Sequence, residues 1–140
     1  MERDQKLQLL RAVPLFSNCS KASLAQIARL TDEVSLPAGR VLMQQGRLGN
    51  EFFVIIAGKV RIERDGRLID TEGPGDFLGE IALIDHRPRT ATAICQTPCR
   101  LLVLAHREFH TLLAGSPAIS NAVLKALAER LRNLEPQAAN

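Results

Sequence analysis

One segment of the sequence, residues 75–93, combines the residue types that hold an anion. Gly79 precedes a run that could form one turn of helix, and Arg89 returns at the start of a predicted strand. Glycine lets a ligand approach the backbone without meeting a Cβ atom, and N–H groups at a helix start favour negative charge. A guanidinium binds phosphate through paired N–H bonds. The segment therefore predicts a phosphate site with Arg89 as its cation.

Glu80 lies in the same segment, next to the predicted phosphate. Its carboxylate would repel that phosphate unless it accepts a hydrogen bond from a neutral donor, and a ribose hydroxyl is such a donor. Plainer interpretations stay open for both charged residues. An acid is favoured at any helix N-terminus, and Arg89 could be an ordinary surface arginine that begins a strand.

The elements around this segment predict a β-barrel or roll flanked by helices. Residues 5–13 have a helical apolar pattern, and Ser20 is placed to cap a second helix that ends near Asp32. From Glu33 onward about eight short strands alternate with turn signals, including a two-residue hairpin turn at Asp65-Gly66. This order argues against a βαβ fold.

Three further segments leave alternatives open. Residues 79–84 are too short for their periodicity to distinguish a strand from a turn of helix. Residues 106–113 and 118–134 are predicted helices, and the last six residues are expected to fray. The leucine stripe of residues 118–134 indicates either core or a dimer seam. It consists of Leu124, Leu127, Leu131 and Leu134.

Composition excludes several classes of protein. The 140 residues fit one domain, and the net charge of +3 is spread over scattered arginines, so no direct nucleic-acid contact is expected. The absence of Tyr and Trp removes the usual platforms for stacking bases. No apolar run is long enough for a membrane span or a secretory signal, which predicts a cytoplasmic protein without a membrane segment.

Cysteine and histidine spacing raises the question of a metal. Cys95 and Cys99, followed by His106 and His110, match a zinc-ligand pattern. The competing interpretation, which we prefer, is that the cysteines bracket the Thr97-Pro98 turn and face the core. We therefore predict no metal and no cofactor, and we place His86 in an exposed loop.

The segment resembles the phosphate-binding cassette of cyclic nucleotide-binding domains. This family includes the catabolite activator protein, the regulatory subunits of cyclic-nucleotide-dependent kinases and cyclic nucleotide-gated channels. The family pattern is matched at residues 79–83 and 88–92, and Leu78 stands where many members have an aromatic residue. The glycines that resemble the family's β-roll glycines are Gly39, Gly46, Gly58 and Gly75.

The resemblance implies a mainly β fold with flanking helices over residues 1–140. An eight-stranded, jelly-roll-like β-roll (a double-stranded β-helix) would occupy residues 33–105. N-terminal helices would occupy residues 5–32, and C-terminal lid helices residues 106–134.

The resemblance also implies the site residues. Arg89 would contact the cyclic phosphate and Glu80 the ribose 2′-hydroxyl. Backbone amides of Gly79, Ala82 and Thr90 would face the ribose or phosphate, while Ile81 and Leu83 would point into the roll. The implied ligand-binding set is Gly79, Glu80, Ile81, Ala82, Arg89, Thr90 and Ala91. Arg130 and Arg132 on the last helix could reach the purine, although solvated side chains are the alternative for both.

The function implied is binding of a cyclic nucleotide, with cAMP favoured over cGMP, and signalling through movement of the C-terminal helix. No catalytic set is recognisable, so we expect no enzyme. A ligand-free interaction or dimerisation module is the alternative, and a cyclic-nucleotide hydrolase is a third hypothesis. The expected partners are the nucleotide and either a second copy bound through residues 118–134 or an unidentified effector protein.

Overall fold

The computed structural model describes residues 1–134, and the predicted frayed tail lies outside them. The chain divides into two compact units. One, the β unit, runs from Leu30 to His110, and the other, the helical unit, combines Met1–Arg29 with the described residues from Thr111 to Leu134. The helices are α1 (Arg3–Arg11), α2 (Lys21–Leu30), α3 (His106–Gly115) and α4 (Pro117–Leu134), with 3-10 helices at Pro14–Phe16 and Ile81–Leu83.

Two four-stranded antiparallel sheets form the β unit, which confirms the predicted eight-stranded roll. The strands are β1 (Asp32–Leu36), β2 (Val41–Met43), β3 (Glu51–Ala57), β4 (Val60–Arg64), β5 (Arg67–Glu72), β6 (Phe77–Leu78), β7 (Thr92–Cys95) and β8 (Cys99–Ala105). The strand order is β1-β8-β3-β6 in one sheet and β2-β7-β4-β5 in the other.

Alternating apolar side chains from both sheets fill the roll. Its core is aliphatic apart from Phe53 and the sulfurs of Cys95 and Cys99, and includes Ile55, Val60, Ala93 and Leu101. The hairpin between β4 and β5 turns at Asp65 and Gly66, whose φ angles are 53° and 77°. Both angles are positive, as the predicted type I′ turn requires.

Local signals also account for the helical unit. Ser20 caps α2, because its Oγ accepts a hydrogen bond from the Ser23 amide at 3.1 Å. Of the two alternatives for the leucine stripe of α4, the core was wrong, because Leu124 and Leu131 are 64% and 63% exposed. The dimer seam stays a prediction. The buried residues of α4 are Ile119, Ala122, Val123 and Ala126. Helical periodicity alone does not reveal which of two apolar faces is buried.

The three cysteines are free thiols, and all are buried. Burial raises the pKa of the Cys95 thiol to about 11, with the neighbouring Cys99 adding to the shift. Burial also raises the pKa of the Cys19 thiol, although the nearby Arg11 guanidinium opposes this. Across residues 1–134, no helix combines the length and apolar character that crossing a bilayer demands.

Candidate functional site

A cavity of about 390 Å³ opens in the β unit beside the segment singled out in the sequence. Its size lies at the lower end of the range for small-molecule sites. Most of its wall comes from residues 79–90, with contributions from β2 and β6. The lining residues are Met43, Phe77, Gly79, Glu80, Ile81, Ala82, Asp85, Arg87, Pro88, Arg89 and Thr90.

Backbone hydrogen bonds fix Arg89 at this wall. Its amide donates to the Arg47 carbonyl at 2.8 Å, and its carbonyl accepts from the Gly46 amide at 2.8 Å. Strand β7 begins only at Thr92, so Arg89 lies in the loop before the strand and does not open it as predicted. Its side chain reaches β3, where Nη2 donates to the Glu51 carbonyl.

Two glycines make room for the Arg89 guanidinium. A Cβ atom built on Gly49 would lie 2.1 Å from Arg89 Nε, and one on Gly79 would lie 2.5 Å from Nη1. Gly79 also has a φ of +79°, which L side chains rarely adopt. Gly49 is therefore required for space, and Gly79 for both space and backbone conformation.

The Arg89 guanidinium is a buried cation with donor capacity to spare. The residue is 8% exposed, and its Nε has no hydrogen-bond partner within residues 1–134. Burial lowers the pKa of Arg89, and the Glu51 carboxylate partly opposes that shift. A buried charge is costly unless it is paired, so an anion in the cavity would stabilise this arrangement.

Glu80 leads into the 3-10 helix Ile81–Leu83, which we call the cassette helix. Its side chain is buried at 7% exposure, and it lines the cavity with Arg89. The Ala82 amide donates to the Gly79 carbonyl at 3.1 Å, so this predicted ligand donor takes part in the turn itself. The wall of the cavity thus carries both a cation and an acid, which suits a ligand with both phosphate and hydroxyl groups.

The structure brings most of the predicted site residues together. Gly79, Glu80, Ile81, Ala82, Arg89 and Thr90 all line the cavity. Ala91 does not, because it is buried in the core of the roll. The prediction that Ile81 points into the roll was wrong: it is 44% exposed, whereas Leu83 is buried. In a single helical turn, neighbouring apolar residues face different directions.

The remaining predicted residues belong to the helical unit. Arg130 and Arg132 lie on α4. Their contact with a purine stays a prediction.

Sequence reasoning missed several residues of the site. Gly49 was not predicted as a site residue, and the Glu51 acceptor is a backbone carbonyl that no side-chain motif reveals. His106 and His110 bond the cassette helix through their rings. Their spacing of four residues was the available signal, and it had suggested zinc.

The zinc hypothesis finds no support in the geometry. Cys95 and Cys99 belong to the core of the roll, whereas the rings of His106 and His110 contact backbone carbonyls of the cassette helix. Within residues 1–134, no three side chains of His, Cys, Asp or Glu come together as a metal site.

Comparison with known proteins gives the family. Residues 33–116 match the family model of the cyclic nucleotide-binding domain. The chain belongs to this family. The resemblance seen in residues 79–92 is therefore confirmed, and the match spans most of the roll together with α3.

Relatives of the domain occur in channels and transcription regulators. It is 37% identical over 123 residues to a cyclic nucleotide-gated potassium channel of Rhizobium etli, covering 88% of this chain and 34% of the channel. It is 32% identical over 130 residues to a CRP-like cAMP-activated global transcriptional regulator of Mycobacterium tuberculosis, covering 89% of this chain and 58% of the regulator.

A solved structure agrees with the fold. The N-terminal domain of a transcriptional regulator from Streptomyces coelicolor superposes with a TM-score of 0.83 at 34% identity, covering 94% of this chain and 95% of that one. The domain thus matches an isolated domain nearly end to end, while it spans only about a third to three-fifths of the curated relatives named above.

Proposed function

We propose that the domain binds cAMP in the cavity beside Arg89. The observation that carries this proposal is the buried Arg89 guanidinium, whose Nε has no partner within residues 1–134, on the same wall as Glu80. The cyclic phosphate accepts from the guanidinium, and the Glu80 carboxylate accepts from the ribose 2′-hydroxyl. The family membership supports a cyclic nucleotide as the ligand.

Two observations bear on the choice of base. The name of the Mycobacterium tuberculosis relative describes it as cAMP-activated, which favours cAMP. Thr90 lines the cavity, and its hydroxyl oxygen would accept a hydrogen bond from the amino group of guanine. We therefore propose that cAMP binds more tightly than cGMP, with cGMP as a weaker ligand.

Isothermal titration with both nucleotides tests this proposal. We expect Arg89→Ala to weaken binding by about 2–5 kcal/mol, because a desolvated charge pair is lost. Arg89→Lys should recover only part of this loss, because it keeps the charge without the paired donor geometry. Arg67→Ala is the matched control: it removes an exposed arginine on β5 outside the cavity lining. Unmeasurable binding of both nucleotides to the unsubstituted domain would refute the proposal.

We further propose that α4 transmits the signal. A ligand that contacts α4 in one arrangement of the helix shifts the population toward that arrangement, and Arg130 and Arg132 are the contacts we propose.

The partners and the location stay predictions. These are a second copy bound through residues 118–134 or an effector protein, a cytoplasmic location and the absence of nucleic-acid contact. Sedimentation with and without cAMP tests the second copy.

A further inference from the structure

Three histidine rings form a cluster beside the cassette helix, with His106 and His110 stacked and His86 tilted against His106. The ring centroids of His106 and His110 lie 4.1 Å apart, and those of His86 and His106 lie 5.0 Å apart. His106 and His110 are four residues apart on α3, so they share one face of that helix. His86 joins them from the loop between the cassette helix and Arg89.

Two of the three rings bond the cassette helix directly. His106 Nδ1 lies 2.7 Å from the Ala82 carbonyl oxygen, and His110 Nε2 lies 2.7 Å from the Leu83 carbonyl oxygen. A carbonyl oxygen can only accept, so each of these ring nitrogens must carry a hydrogen. The contacts therefore determine which nitrogen is protonated in each ring, and the required nitrogen differs between the two.

The carbonyls involved are those that a short helix leaves unsatisfied. The last carbonyls of any helix have no intrahelical donor, and a single 3-10 turn is weak by itself. In the cassette helix, the Ile81 carbonyl accepts from the Ile84 and Asp85 amides. The histidines supply donors to the next two carbonyls, those of Ala82 and Leu83.

The same end of one strand pair anchors the histidines and Arg89. Ala105 pairs with Glu51 in the β3–β8 ladder, and the next amide, that of His106, donates to the Asn50 carbonyl at 2.7 Å. The Glu51 carbonyl accepts from Arg89. This end of the ladder therefore anchors two parts of the cavity wall. It holds Arg89 through the Glu51 carbonyl, and it holds the cassette helix through His106.

We infer that His106 and His110 are positioning residues of the nucleotide site, which hold the cassette helix in register with Arg89 by donating to the Ala82 and Leu83 carbonyls. The inference rests on the proposed function, because it assigns these residues to the same site. Neither ring lines the cavity. They affect nucleotide binding through the position of the backbone that carries Glu80 and Ala82.

Paired substitutions test the inference, because the amide side chains reproduce each donor. The Asn amide nitrogen occupies the place of a histidine Nδ1, and the Gln amide nitrogen that of Nε2. We expect His106→Leu and His110→Leu each to weaken cAMP binding in titration calorimetry by about tenfold, or ~1.4 kcal/mol. His106→Asn and His110→Gln should remain within about threefold of the unsubstituted domain, or ~0.7 kcal/mol.

His86→Leu is the matched control, because it removes a ring that contacts His106 but bonds neither carbonyl. It should leave cAMP affinity nearly unchanged. Equal losses in all three leucine variants would assign the effect to stacking and overturn the inference. Leucine variants that bind like the unsubstituted domain, or Asn and Gln variants that bind as poorly as leucine, would overturn it too.

A measurement without nucleotide separates this inference from the proposed function. Long-range 1H–15N spectra of the histidine rings at pH 8 should show His106 protonated at Nδ1 and His110 at Nε2. The opposite tautomer at His106 would overturn the inference and leave Arg89-dependent binding intact. Failure of the unsubstituted domain to bind cAMP or cGMP would instead remove the proposed function, while the predicted tautomers would still show that the rings hold the cassette helix.

Discussion

The space around the Arg89 guanidinium exists because two neighbouring positions lack side chains. Gly49 and Gly79 approach it from different segments of the chain, and each would place a Cβ atom within 2.5 Å of a guanidinium nitrogen. One consequence is that the position of Arg89 depends on residues that contribute no side chain to the site.

Gly49→Ala tests this dependence. The new methyl group must displace the flexible end of Arg89, so we expect cAMP affinity to fall about tenfold, equivalent to ~1.4 kcal/mol. Stability should fall by only about 1 kcal/mol, because a side-chain end can move more easily than backbone. Gly73→Ala is the control, since a Cβ atom there would meet nothing within 4 Å. Calorimetric titration and thermal unfolding of both variants measure the two effects, and unchanged affinity for Gly49→Ala would contradict the expectation.

At the scale of elements, the turn after β5 gathers acidic side chains. The Asp76 carboxylate accepts from the Gly73 amide at 2.8 Å, and Glu72 and Asp70 lie on the adjoining strand. Desolvation, followed by the neighbouring Asp76 and Asp70, raises the pKa of Glu72 to about 7. The folded domain therefore retains a proton at Glu72 that the unfolded chain releases at its ordinary, lower pKa.

This difference makes stability depend on pH. Between about pH 4.5 and 7 the folded state binds more protons at Glu72 than the unfolded state does. The free energy of unfolding therefore decreases as the pH rises through this range. Glu72→Gln removes the titration, and we expect the variant to melt at a higher temperature than the unsubstituted domain at pH 8. At pH 4 the two melting temperatures should nearly coincide. Identical differences at both pH values would show that Glu72 does not titrate in this way.

Elements governed by neighbours in sequence were predictable, and those governed by distant contacts were not. The Ser20 cap and the Asp65-Gly66 turn follow from residue types at fixed local positions. The donor role of His106 and His110 did not, because their acceptors lie 24 and 27 residues earlier in the chain. The i, i+4 spacing showed that the two rings share a face but not what that face contacts.

The same limit applied within the candidate site. Arg89 and Glu80 were predictable because both are charged residues in the same short segment as Gly79, and both line the cavity. The requirement for Gly49 arises from a contact with Arg89, 40 positions away, so no local pattern expressed it. The periodicity of α4 indicated an apolar stripe but could not decide whether that stripe or the face with Ala122 and Ala126 packs into the core.

At the scale of the whole molecule, the cavity belongs to one compact unit and α4 to the other. Binding should stabilise the folded chain by about 2.7 kcal/mol at a hundredfold excess of cAMP over Kd. For a chain of this size that corresponds to a rise of roughly 5–10 °C in Tm. Scanning fluorimetry should show this rise, and Arg89→Ala should abolish it.

Amide exchange then tests the output through α4. If α4 transmits binding, exchange within Pro117–Leu134 should slow on saturation with cAMP and remain unchanged in Arg89→Ala. Slower exchange confined to the Leu30–His110 unit would leave binding intact and contradict the signalling role of α4.

The burial of Cys19, Cys95 and Cys99 has a practical consequence for such measurements. Thiolates are the species that maleimides attack, and burial shields these sulfurs from the reagent. The three natural cysteines should therefore react little with a maleimide, and none has to be removed before site-specific labelling. A single Leu131→Cys substitution, at a position that is 63% exposed on α4, would accept a fluorophore selectively. Its emission would report on α4 in real time as cAMP is added.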